Sequence, residues 1–327
     1  MKTIFCIFII LFSTYGNANQ IIRDPFFENY FNNLQSENNF PKNEVYLIES
    51  IYPNAYVVSE KIYITTDLIK EINDEDTLKS IFFHEVGHIN QNHYNTKRIK
   101  IINSKEKNLL NNIFSIGVAT ITGNPNLGIA TNISISQSIL SELSKNSIQY
   151  EEEADQFMLK MIKKNSINTK GLIDFLNKLP NNENYFKTHP LNSERVRMLK
   201  KYSNKKQKLN TNEFEWIKAK YGNNSNNSEF NNFFIDLNKG LIKFNNINKL
   251  IDEDFIKYEI FKKGLKVPNL EKMYLRLIKI NSNDYLKIEF FNYIIDNNIH
   301  NNYGLIEKNK HNKTLQEEYF YYFLYGK

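Results

Sequence analysis

The segment His84–His88, with the sequence HEVGH, constrains this chain more than any other feature. Residues four apart lie on one face of an α-helix, so the imidazoles of His84 and His88 can reach one metal ion at about 2.0–2.1 Å. Glu85 can reach a water held by that metal and accept its proton. Two imidazoles and a water suit zinc, a Lewis acid that lowers the pKa of the water. The pattern predicts a zinc-binding helix, and the alternative is a surface helix with two solvated histidines.

The residues around this segment favour a helix from about Glu75 to His93. Asn73 and Asp74 offer N-cap side chains, and Glu75 and Asp76 place negative charge in the first turn, where the helix dipole favours it. Apolar residues recur at helical spacing at Leu78, Ile81, Phe82 and Ile89. The motif is therefore placed on a helix.

A zinc site of this kind needs a third protein ligand, and the acidic run at residues 151–155, EEEAD, offers three glutamates. The run lies on a second predicted helix, from about Ser141 to Lys164. Only Glu151 has another acid four residues further on, at Asp155, on the same helix face. Glu151 can then bind zinc while Asp155 accepts the second ring N–H of a liganding histidine. The alternative for this run is a solvated helix start.

With these residues the chain resembles the zinc metallopeptidase family that includes HtpX, the CAAX prenyl endopeptidase and the periplasmic chaperone-protease BepA. The resemblance covers roughly residues 45–199 and is closest to the BepA-like members. It rests on six segments in order: NAY at 54–56, IYIT at 62–65, HEVGH at 84–88, EEEAD at 151–155, THPL at 188–191 and SER at 193–195. Motifs that follow one another in the family's order are more specific than any one alone.

The resemblance implies one zinc ion per chain, held by His84, His88 and Glu151. It also implies Glu85 as the general base and Asp155 as the partner of a liganding histidine. In the implied reaction Glu85 deprotonates a zinc-bound water, which attacks the scissile carbonyl, and then delivers the proton to the leaving amine. The resemblance therefore implies a metalloendopeptidase.

Further residues take roles from the same resemblance. His189 would cover the zinc or stabilise the oxyanion, with a helix-start turn residue as the alternative. Arg195 would contact the same region, with a plain salt bridge as the alternative. Asn54 and Ala55 would lie on an edge strand that pairs with an extended substrate. His93 sits five residues past the second zinc histidine, off the ligand face, and is predicted to be structural.

Residues 1–18 have the three-part plan of a secretory signal peptide. Lys2 supplies a positive start, residues 4–12 form an apolar run, and Gly16 and Ala18 place small residues before a cleavage point. Nine apolar residues are too few to span a bilayer. The chain is therefore predicted to be exported to the periplasm, with an uncleaved N-terminal anchor as the alternative.

The rest of the chain is predicted to hold two domains, a metallopeptidase domain at 19–200 and a helical domain at 201–327. Short runs rich in Val, Ile and Tyr between Val45 and Ile64 predict strands, so the first domain is expected to be an α+β core with a small sheet beside the zinc helices. The second is expected to be all-α and tetratricopeptide (TPR)-like. Its aromatic residues indicate either substrate-binding grooves or simply a second core.

The stretch from Ile113 to Leu140 is apolar and rich in small residues, and Asn124–Asn126 interrupts it. We expect a helical hairpin there, with membrane contact as the less favoured alternative.

Composition excludes several classes of protein. Hydrophobic residues make up 41% and charged residues 24%, as in ordinary folded proteins. A mean hydropathy of −0.52 and the lack of any apolar run of 18 residues exclude a polytopic membrane protein. The net charge of +6 comes from 42 basic and 36 acidic residues mixed along the chain, so no nucleic-acid partner is predicted.

Together these features predict an exported zinc endopeptidase that cleaves misfolded or unassembled envelope proteins, with polypeptide substrates and outer-membrane or envelope assembly proteins as partners. The rival hypothesis is a chaperone-like adaptor whose zinc site is latent or structural. The presence of Glu85 beside a complete ligand set favours the enzyme, because an adaptor has no use for a general base.

Overall fold

The computed structural model describes residues 21–58, 60–96, 137–178, 193–203, 208–222, 224–241, 250–281 and 284–296. The chain forms two compact units. The first comprises Met1–Ile22 and Asn43–Asn210, and the second comprises Arg23–Lys42 and Thr211–Lys327. The division at residue 200 stays a prediction, whereas the observed units place the segment after the first strand with the C-terminal helices.

The strands are β1 (Ile21–Ile22), β2 (Val45–Ile48), β3 (Ala55–Val58) and β4 (Lys61–Thr65). The α-helices are α1 (Pro25–Asn38), α2 (Thr66–Glu71), α3 (Glu75–Asn90), α4 (Gln137–Asn165), α5 (Lys170–Lys178), α6 (Ser193–Lys200), α7 (Asn212–Ile217), α8 (Ser228–Asn238), α9 (Glu253–Lys262), α10 (Leu270–Asn281) and α11 (Asp284–Asp296). A π-helical turn, Lys218–Gly222, continues α7.

The first unit holds the sheet, with strand order β1-β2-β4-β3. β2 and β4 are parallel, while β1 and β3 pair antiparallel to their neighbours. Ile62 and Ile64 of β4 are fully buried, as period-2 alternation requires of a strand with one face on the core. The prediction of an α+β core with a small sheet is confirmed. Among the described strands, β3 lies at the edge of the sheet next to β4.

Helix α3 carries the HEVGH segment and begins where the sequence indicated. Asp74 is its N-cap, and the Asp74 carboxylate accepts a hydrogen bond from the Thr77 amide at 2.8 Å. The helix ends at Asn90, earlier than the predicted His93. Asn92 adopts a left-handed φ of 55°, and residues 93–96 form a separate helical turn. The chain therefore changes direction before His93.

Helix α4 carries the acidic run and packs directly on α3. A Cβ placed on Gly87 would lie 3.0 Å from the Cα and the carbonyl oxygen of Ala154, closer than ordinary van der Waals contact. Glycine inside a helix costs about 1 kcal/mol relative to alanine, but here it allows the backbones of α3 and α4 to approach. α4 begins at Gln137, before the predicted Ser141, and residues 113–136 of the expected hairpin lie outside the described residues.

The segment that follows α4 contacts the first turn of α3 and the end of α6. The amide of Asn168 donates to the Asp76 carboxylate at 2.9 Å, and Thr169 donates its hydroxyl to the Leu199 carbonyl at 2.6 Å. α5 and α6 pack on each other there. α6 carries Arg195, and its packing on α5 places that residue in the first unit.

The regular secondary structure described in the second unit is helical. Trp216 is fully buried, and its indole packs against four phenylalanines, Phe26, Phe230, Phe233 and Phe234. The buried Lys220 pairs with Asp24 at 2.9 Å and with Glu259. The described aromatics thus form a second core, and a TPR-like arrangement stays a prediction. Among the described helices, none has the length and apolar character needed to cross a membrane.

Candidate metal centre

Three side chains from α3 and α4 converge at one buried point. The Nε2 atoms of His84 and His88 lie 3.1 Å apart. Glu151 places Oε2 3.2 Å from the His84 Nε2 and Oε1 3.4 Å from the His88 Nε2. All three residues are buried, and among the described residues this is the group of His, Cys, Asp or Glu side chains that could hold a metal ion. The spacing of four residues on α3 brings the two imidazoles together, while the packing of α4 adds the carboxylate.

The acidic partner of Glu151 lies one turn further along α4. Asp155 places Oδ1 2.9 Å from the His84 Nδ1, on the side of the ring away from Glu151. Arg195 of α6 bridges the two acids, because its Nε lies 2.5 Å from Asp155 Oδ2 and its Nη2 lies 3.1 Å from Glu151 Oε2. The guanidinium pairs with both buried carboxylates and fixes their orientation.

The sequence model of peptidase family M48 matches residues 24–203, more than half of the chain. The chain belongs to peptidase family M48. The M48 match spans both the HEVGH helix and the acidic helix, and it implies a metalloprotease. The triad of His84, His88 and Glu151 is where this M48 chain can hold a metal. A comparison with curated proteins finds no match.

A further histidine, His93, borders the M48 site, and the sequence predicted it to be structural and off the ligand face. Its Nδ1 lies 3.0 Å from the Nδ1 of His88, so this residue outside the triad contacts one of the triad's histidines. Its Nε2 lies 2.8 Å from Glu153 Oε2. Helical periodicity placed His93 off the ligand face, but α3 ends at Asn90 and the left-handed Asn92 turns the chain back. The asparagine at 92 is the sequence signal that could have found this turn, because asparagine adopts left-handed backbone more readily than most residues.

The remaining predicted residues of the M48 site fall into three groups. Glu85 is buried and follows His84 directly on α3. Arg195 contacts the site through salt bridges to Glu151 and Asp155. Asn54 leads into the outer strand β3, where its backbone carbonyl accepts from the Thr65 amide at 3.0 Å, and Ala55 opens that strand. His189 lies outside the described residues.

Neighbouring charges shift the pKa values of His84 and of its partner Asp155. Burial lowers the pKa of His84, but the Asp155 and Glu151 carboxylates outweigh burial and raise that pKa to about 9. Burial raises the pKa of Asp155, yet His84 and Arg195 together hold that pKa below its usual value. The metal-free chain therefore keeps His84 protonated at neutral pH, and a metal ion must displace that proton.

We expect zinc affinity to rise with pH in this M48 chain. The pKa of His84 is raised from 6.5 to about 9. Its protonated form therefore stabilises the metal-free fold fully below pH 6.5, and this stabilisation is lost as the pH rises through about 9. Between these limits zinc should bind about tenfold more tightly per pH unit, because one proton leaves on binding. Competition titration against a chelator of known pH dependence measures this. A zinc affinity that stays constant from pH 6.5 to 8.5 would contradict it.

Proposed function

We propose that this chain is a zinc-dependent endopeptidase that hydrolyses misfolded or unassembled proteins of the cell envelope. The observation that carries the proposal is the buried triad of two imidazoles and a carboxylate, with the buried Glu85 directly after His84 on the same helix. Membership of peptidase family M48 supplies the reaction class.

The triad fits zinc in donor type and in spacing. Two histidine nitrogens and one glutamate oxygen are a ligand set that catalytic zinc sites use, with a further position left for water or substrate. Bonds of about 2.0–2.1 Å in a tetrahedron place neighbouring ligand atoms about 3.3 Å apart. The three separations here are 3.1, 3.2 and 3.4 Å. Within the described residues three such ligands come together, and this number favours a catalytic site over a structural one, which would use four.

A zinc ion held there would supply Lewis acidity, which lowers the pKa of a bound water and polarises a carbonyl. Glu85 would take the proton of the attacking water and pass it to the leaving amine nitrogen. Asp155 would hold the His84 ring by its Nδ1–H, and Arg195 would keep Glu151 and Asp155 in place. His189 remains a proposed gate or oxyanion partner.

An extended polypeptide is the proposed substrate. β3 is the outer strand of the sheet and packs against α3, the helix that carries Glu85. A peptide added along an outer strand is held through its backbone, which gives little preference for particular side chains. This mode of binding suits unfolded chains, and Asn54 and Ala55 would lie along it.

The compartment is part of the proposal. Residues 1–18 support export, because they combine a basic start, an apolar run and small residues before a cleavage point. Envelope proteins that fail to fold or assemble would then be the available substrates.

The test is cleavage of one labelled protein offered in a folded form and in a permanently unfolded form. We expect the unfolded form to be cut within its chain. Chelation should abolish the cutting, and one equivalent of zinc should restore it. The matched control is the folded form, which should stay intact. A chain that binds one zinc yet cuts neither form would favour the chaperone-like adaptor.

A further inference from the structure

We propose that His93, held in place by Glu153, is a positioning residue that sets the tautomer and ring orientation of the ligand His88. The inference rests on the proposed zinc site. Its basis is a continuous line of contacts from His88 Nδ1 to His93 Nδ1 at 3.0 Å, and from His93 Nε2 to Glu153 Oε2 at 2.8 Å.

The surroundings of His93 fix its ring. It is 2% exposed, and its imidazole stacks on Tyr150 with ring centroids 4.4 Å apart and planes 22° from parallel. Glu153 is held in turn, because Gln149 donates to Glu153 Oε1 at 2.7 Å. Gln149, Tyr150 and Glu153 all lie on α4, the helix that also supplies Glu151. The same helix therefore positions both the carboxylate ligand and the line of contacts behind His88.

The direction of each hydrogen bond follows from metal binding. A metal ligand needs an unprotonated nitrogen, and the Nε2 of His88 is the atom that faces His84 and Glu151. The proton of a neutral His88 must then sit on Nδ1, where it is donated to the Nδ1 of His93. His93 must keep that Nδ1 unprotonated and carry its own proton on Nε2, which donates to Glu153. The Glu153 carboxylate thus selects one tautomer of His93, and His93 selects the metal-binding tautomer of His88.

The two histidine ligands are consequently supported in different ways. His84 meets the Asp155 carboxylate directly, at 2.9 Å, whereas His88 reaches a carboxylate only through the ring of His93. The Glu153 side chain is also 34% exposed, while that of Asp155 is 6% exposed. The negative charge behind His88 therefore lies one ring further from the metal and nearer solvent. His93 itself offers its Nδ1 to the Nδ1 of His88, so it is not a further ligand of the triad.

The first test needs no substitution. In the zinc-loaded full chain, ¹⁵N NMR of the histidine rings distinguishes protonated from unprotonated nitrogens. We expect His88 to carry its proton on Nδ1 and His93 to be the opposite tautomer, protonated on Nε2 alone. A zinc-loaded His93 protonated on Nδ1 would overturn the proposal, because that nitrogen could not accept from His88.

The second test compares zinc affinities by chelator competition. His93→Phe keeps a ring against Tyr150 but offers no acceptor, and we expect zinc to bind about 10–100-fold more weakly. His93→Gln offers a carbonyl oxygen to His88 and an amide N–H to Glu153, so it should recover most of the affinity. Glu153→Ala should also weaken zinc binding. Glu152→Ala, an exposed neighbour on the same helix, is the matched control and should change nothing.

Each outcome separates the inference from the proposed function. If His93→Phe binds zinc within about twofold of the unchanged chain, the positioning role fails while the peptidase stands. If His93→Gln recovers nothing, the acceptor is not what matters and the proposal fails as well. Should His93→Phe not fold, Glu153→Ala and the NMR measurement decide. If the unchanged chain binds no zinc, the inference and the proposed function fall together.

Discussion

Replacing Glu85 with Gln is expected to lower the rate of peptide cleavage by about 10²–10⁴-fold, the contribution typical of a general acid–base group. Gln has nearly the same shape, but its amide cannot accept the proton of the attacking water. Glu85 is not one of the three candidate zinc ligands, so the variant should bind zinc with the same stoichiometry as the unchanged chain. Cleavage rate and zinc stoichiometry, measured on the same preparations, give the result.

Glu75→Gln is the matched control for this substitution. Glu75 is also a buried acid on α3, at the first turn, where it pairs with Lys79 at 2.9 Å. The same chemical change there should leave cleavage intact. Cleavage at the unchanged rate by Glu85→Gln would contradict the assignment of Glu85 as general base. It would also remove the main argument against the adaptor hypothesis.

The second large effect is expected from Glu151→Gln. An amide is a far poorer zinc ligand than a carboxylate, so the affinity for zinc should fall by more than about 100-fold, beyond the loss typical of residues behind the ligands. The fold should persist, because Arg195 keeps its contact with Asp155 at 2.5 Å. Elemental analysis after dialysis and chelator competition would measure the loss.

Glu152→Gln provides the comparison on the same helix, since Glu152 is exposed and directly follows Glu151. It should retain one zinc per chain. If Glu151→Gln also retained one zinc with affinity within tenfold of the unchanged chain, Glu151 would not be a ligand. Loss of zinc together with loss of the folded state would show instead that the variant had damaged the core.

Much of the site could be predicted from the sequence because it depends on spacing within single helices. His84 and His88 lie four residues apart on α3, as do Glu151 and Asp155 on α4. Helical geometry alone places each pair on one face. The N-cap and the apolar periodicity of α3 depend only on residues close together in the sequence, so the start of this helix at Glu75 could also be predicted. The strands before it were visible for the same reason.

Other features depended on packing between segments far apart in the chain. Arg195 bridges Glu151 and Asp155 across about forty intervening residues. His93 reaches the site because α3 ends at Asn90, and its partner Glu153 lies 60 residues further on. The grouping of α1 with the C-terminal helices likewise joins residues that are distant in sequence. No local periodicity encodes such contacts.

The sequence by itself thus determined which residues could chemically bind and use a metal, because helical spacing and side-chain chemistry are local properties. Only the tertiary structure decided which of the two histidines contacts Asp155, and that His93 and Glu153 lie behind the other one. Gly87 allows α3 and α4 to approach at Ala154, and that approach places Asp155 beside His84 and Glu153 beside His93. These contacts depend on the distance between the axes of α3 and α4. Side-chain packing between the two helices sets that distance, and no local sequence pattern predicts it.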